Sequence, residues 1–69
     1  MPCEEKARLA MEYETATSKF SEAVRDLRRK MGTSPKDEYD RLDRASNEAR
    51  VRSEQARLAL EQHIAAHRC

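Results

Sequence analysis

The residues with the widest chemical range in this 69-residue chain are its two cysteines, Cys3 and Cys69, and its two histidines, His63 and His67. His63 and His67 stand four apart, which on a helix puts both imidazoles on one face, one turn apart, within reach of one ion. With Cys3 and Cys69 they make two nitrogens and two sulfurs, the donor set of a tetrahedral zinc site. Two plainer readings use the same residues. Cys3 and Cys69 are a candidate disulfide tying the termini, and closing a loop of about 65 residues is worth ~4 kcal/mol in the chain-entropy account. Alternatively the thiols stay free and the histidines are structural, packed or complementing the negative end of a helix dipole. Free thiols, disulfide and metal all remain open at this point, because Cys3 has no CxxC partner and Cys69 is the last residue. Catalysis is not expected. A terminal thiol beside a histidine has no oxyanion hole, and a chain with one glycine has no phosphate-cradling loop.

For residues at opposite ends of the sequence to meet, the chain must fold back on itself, and one interruption permits it. In Met31-Gly32-Thr33-Ser34-Pro35-Lys36-Asp37-Glu38 the sole glycine stands where a helix-ending residue needs positive φ. Thr33 or Ser34 can then cap a second helix. Pro35 suits its first position, and Ser34 with Asp37 is close to a capping box. This predicts helix 1 over about 3–31, a turn at 32–34 and helix 2 over about 35–67. So short a connection makes the helices antiparallel neighbours.

The apolar spacing agrees. Leu9, Tyr13, Ala16, Phe20, Ala23 and Leu27 follow a 4-3-4-3-4 pattern, and so do Leu42, Ser46, Ala49, Ser53, Ala56, Leu60, His63 and His67. Both are seams of alternating core positions in a coiled coil. Matching Leu27 with Leu42, Phe20 with Ala49, Tyr13 with Ala56 and Leu9 with Leu60 gives residue numbers that add to 69 each time, as a hairpin requires. The small residues of helix 2 meet the aromatics of helix 1, which lets the backbones approach closely. Phe20, Tyr13 and Tyr39 are thus read as packing residues. The same register brings Cys3 level with His63, His67 and Cys69. The expected class is all-α: an antiparallel, coiled-coil-like two-helix hairpin forming one domain.

Fourteen large apolar residues, Met1 included, are few for a self-sufficient core in 69 residues. Several fall outside the seam. Met11 on helix 1 and Val51, Leu58 and Ala65 on helix 2 are read as a partner face. Two hairpins packed as a four-helix bundle would cover it, as would a helix of another protein. A homodimer is the expected arrangement.

Charged residues are 39% of the chain, but 14 basic against 13 acidic side chains leave a net charge of +1. They are interleaved at helical spacing, as in Asp26–Lys30, Asp37–Arg41, Asp40–Arg44, Glu48–Arg52 and Arg57–Glu61, which marks solvated helix faces. The balance argues against nucleic-acid binding, and the run Arg25, Arg28, Arg29, Lys30 reads as cations in the last turn of a helix. No apolar run is long enough to span a membrane. Glu4 and Glu5 replace the basic start of a secretory leader, so a cytoplasmic location is expected.

Lys30–Ser34, Glu38–Leu42 and the tail from Leu60 through Ile64 to His67 and Cys69 carry a further likeness. In them the chain resembles short uncharacterised bacterial hypothetical proteins of helical-hairpin type. The resemblance spans nearly the whole length and implies a helical hairpin with no assigned activity. The zinc anti-sigma motif His-x3-Cys-x2-Cys differs from His63-x3-His67-x-Cys69 at its second and third ligands, so nothing is carried over from it. The leading expectation is a non-enzymatic interaction or scaffold module that associates with itself. The alternative is a zinc-binding or thiol-redox module using Cys3, His63, His67 and Cys69.

Overall fold

The structure, a computed structural model, describes residues 3–67. Two helices, α1 (Glu4–Lys30) and α2 (Lys36–His67), pack against each other, and no strand occurs among the described residues. Their combined shape is a rod of 53 × 14 × 11 Å. A 32-residue helix is about 48 Å long at 1.5 Å per residue, so α2 sets the length of the molecule. The radius of gyration, 15.7 Å, exceeds the roughly 11 Å of a compact domain of this size.

Burial follows the expected seam. Leu9, Tyr13, Ala16, Phe20, Ala23 and Leu27 of α1 are half-buried, as are Leu42, Ala49, Ser53, Ala56, Leu60 and His63 of α2. Ser46, near the middle of α2, is buried outright at 7% exposure, while His67 at the end of the seam is exposed. Thr17 Oγ1 lies 3.4 Å from Ser53 Oγ across the interface, at the level the hairpin register requires. The seam also runs past Leu9, because Lys6 and Cys3 are half-buried too.

The turn departs from expectation in its details. Helix α1 stops at Lys30, with Met31 in extended conformation (φ −61°, ψ 128°). Gly32 takes φ +82°, the left-handed conformation expected of it. The amides of Thr33 and Ser34 both donate to the Lys30 carbonyl at 3.2 Å, and so does the Thr33 hydroxyl. Thr33 therefore closes the end of α1 rather than capping α2. Among the described residues no Ser34–Asp37 capping box forms. The Pro35 carbonyl accepts from the Tyr39 amide at 3.1 Å, which makes Pro35 the residue that opens α2, one place before the position expected for it. Asp37 and Glu38 in the first turn favour the positive end of the helix.

Surface ion pairs also differ in partner. Arg57–Glu61 forms at 2.9 Å as expected, but Asp26 pairs with Arg29 rather than Lys30. Lys30 instead reaches Glu38 across the turn at 3.8 Å. Arg8 sits between Glu5 and Glu12, and its guanidinium is held above its ordinary pKa, first by the hydrogen bond to Glu5. No helix is long and apolar enough to cross a membrane among the described residues.

Candidate functional site

Helix periodicity and the hairpin register together carry the chemical residues to one end of the rod. Cys3 immediately precedes α1, and His63 is the last half-buried seam residue of α2. Cys3 Sγ lies 2.8 Å from His63 Nε2. One turn on, the His67 ring stands against the His63 ring with centroids 4.5 Å apart and planes tilted by 37°. Three of the four residues singled out in the sequence thus come together. The fourth, Cys69, lies outside the described residues.

Cys3 is disulfide-bonded. That decides what its sulfur can do in this state. A disulfide sulfur has no proton to give, so in the contact with His63 the imidazole must be the donor, through Nε2–H. A disulfide sulfur is also no thiolate, and the thiolate is the form that binds zinc and attacks electrophiles. Among the described residues no group of three or more potential ligands is placed to hold a metal ion.

Lys6 belongs to this end as well. It continues the seam by a three-residue step before Leu9 and is half-buried at the level of His63. The signal was present in the spacing Cys3–Lys6–Leu9, but a lysine does not register when a seam is traced through apolar residues. The open end of the hairpin therefore carries ionisable side chains in its seam, where the middle holds aromatic, aliphatic and small hydroxyl side chains.

The second feature is a groove of about 760 Å³ on one side of the hairpin. Ala7, Met11 and Ala16 of α1 and Ala45 and Ala49 of α2 supply its apolar lining, with Glu4, Arg8, Glu12 and Lys19 among the charged residues on the α1 side. The expected partner-face residues, Met11 on α1 and Val51, Leu58 and Ala65 on α2, are all exposed. Met11 follows the seam residue Leu9 by two positions. Val51, Leu58 and Ala65 likewise follow Ala49, Ala56 and His63. Two residues turn a helix by about 200°, so each side chain points away from the seam of its own helix. In an antiparallel pair the backs of the two helices look in opposite directions. Met11, 67% exposed, belongs to the α1 side and lines the groove; Val51 and Leu58 lie behind α2.

No protein family, curated protein or solved structure matches the chain.

Proposed function

We propose that this protein is a non-enzymatic interaction module whose helical hairpin associates with a second copy of itself. The observation that carries the reading is the state of the core. No hydrophobic side chain is buried among the described residues, and Met11, Met31, Val51, Leu58 and Ile64 are exposed. A folded monomer of 8.0 kDa ordinarily presents about 4,450 Å² of accessible surface. This chain presents 5538 Å², about 1,100 Å² more. A standard protein interface removes about 800 Å² from each partner, so one such contact would bring the chain into the usual range. Sedimentation equilibrium tests this directly. Twice the 8.0 kDa chain mass at micromolar concentration is the expected result, and a single-chain mass up to hundreds of micromolar overturns it.

A second reading rests on Cys3. Its disulfide, with His63 donating to the sulfur, supports a thiol-redox role in which the open end is a covalent clasp. In the cytoplasmic location we infer, dithiol reductants keep most cysteines reduced, so the clasp would cycle there rather than persist. A dithiol donor would cleave the S–S bond, leave two thiols and itself become a disulfide. Intact mass measured before and after reduction reads this out. A gain of two hydrogens per chain supports the clasp, and no change in mass overturns it.

A further inference from the structure

The self-association just proposed leaves open which face carries it, and the charge pattern along α1 selects one. We propose that two copies meet through the groove side of α1, with the two α1 helices antiparallel and the two-fold axis passing between residues 11 and 12. This inference rests on the self-association reading and goes beyond it by naming the surface and its register.

A two-fold interface uses the same patch twice, so residue i of one copy faces residue j of the other and the reverse. With the axis between Met11 and Glu12, paired residue numbers add to 23. Glu4 then meets Lys19 of the second copy, Ala7 meets Ala16, and Arg8 meets Thr15. Met11, the most exposed large hydrophobic side chain described, stands beside its own copy at the axis. All of these line the groove. Neither Glu4 nor Lys19 has an ion-pair partner among the described residues, whereas Glu5, Arg8 and Glu12 are already paired with one another. The alanine pair allows close approach of the helices, and the two salt bridges sit at the ends of the contact, where solvent screens them and they set register more than strength.

Neighbouring registers are worse. Advancing by three residues sets Glu4 against Glu22 and Glu12 against Glu14; advancing by four sets Arg8 against Lys19. Each places like charges across the interface, which is how antiparallel helices reject a wrong alignment. Sliding the other way by a turn shortens the overlap and removes Lys19 from it. The back of α2 offers no such pattern. The acids nearest Val51 and Leu58, Glu54 and Glu61, are already paired within α2, with Arg50 at 3.1 Å and Arg57 at 2.9 Å.

The experiment is sedimentation equilibrium on the full chain and on variants at exposed positions, with helicity checked by circular dichroism. Met11→Glu is expected to weaken dimerisation at least tenfold and Leu58→Glu less than twofold. Glu4→Lys and Lys19→Glu are each expected to weaken it several-fold, and the double variant to regain most of that loss. Regain by the double variant requires that the two residues meet across the dimer, an outcome that a merely structural effect on α1 would not produce. A dimer that survives Met11→Glu but dissociates on Leu58→Glu overturns this surface and leaves self-association standing. A double variant weaker than both single ones overturns the register. A wild-type chain that stays monomeric sinks the self-association reading, and this inference with it.

Discussion

The two ends of the hairpin are closed by different means. At the turn, backbone closes backbone: Gly32 takes φ +82°, and the amides of Thr33 and Ser34 converge on the Lys30 carbonyl. The helices are five residues apart along the chain, so bringing them together costs little loop entropy. At the open end no such connection exists, and the seam is at its most polar, with Lys6 and His63 in positions that Phe20 and Leu42 fill elsewhere. Here side-chain chemistry closes the structure, through the Cys3 disulfide and its 2.8 Å contact with His63. Where the covalent chain itself holds two helices, weak packing suffices. Where it does not, a thin core needs a tie.

The largest expected effect comes from cutting that tie. The sequence has one other cysteine, Cys69, and a disulfide closing a loop of about 65 residues stabilises by ~4 kcal/mol in the chain-entropy account. Cys3→Ser is therefore expected to lower unfolding stability by about that amount, with a fall in Tm of well over 10 °C for a chain of this size. Measurement must hold protein concentration fixed, because a dimer's stability depends on it. Hydrogen exchange should show every amide that opens through global unfolding losing protection, with a further, local loss at residues 4–10 and 59–67. A loss no larger at the open end than at the turn would mean that the two ends do not differ in the way described.

The same contrast explains what could be read in the sequence. Both helices, the half-buried seam and the register follow from spacing, since a 4-3 repeat and an antiparallel turn leave little freedom in which residues face each other. The meeting of Cys3 with His63 follows from that register. The redox state of Cys3 does not, because spacing decides proximity while oxidation is a matter of bond chemistry. Where the apolar residues outside the seam lie relative to one another takes more than their spacing along one helix. Met11, Val51 and Leu58 look alike as apolar residues outside the seam, yet each lies about 200° from it on its own helix, so the two helices carry them to opposite sides. Capping at the turn was ambiguous because Thr33 can serve either helix, and its hydroxyl bonds the Lys30 carbonyl of α1.

A smaller effect tests the backbone closure. A Cβ added at Gly32 meets nothing within 4 Å, so the cost of substitution is conformational and not steric. Gly32→Ala forces an L-residue into the left-handed region and is expected to destabilise by about 1 kcal/mol. Gly32→Asn should recover most of it, since asparagine tolerates this conformation. Urea unfolding curves of the two variants decide the matter, and equal losses for alanine and asparagine would show that something other than φ is at work. Neither substitution is expected to add local opening at residues 59–67 beyond the loss shared by all amides that exchange through global unfolding.

The smallest effect concerns the one ion pair that bridges the two helices among the described residues, Lys30 with Glu38 at 3.8 Å across the turn. Both side chains are partly exposed, and the turn is already closed by Gly32 and the Lys30 carbonyl. An exposed pair of this kind contributes roughly 0–1 kcal/mol and is screened by salt. Glu38 has a second role, because it lies in the first turn of α2, where a negative charge favours the helix dipole. Glu38→Gln removes both interactions, whereas Lys30→Met removes the pair and leaves the first-turn charge. Each is expected to cost less than 1 kcal/mol, with the glutamine variant the larger of the two, and the difference should shrink in 0.5 M salt. If Lys30→Met instead costs as much as Gly32→Ala, the turn depends on side-chain charge as the open end depends on sulfur, and the division between the two ends fails.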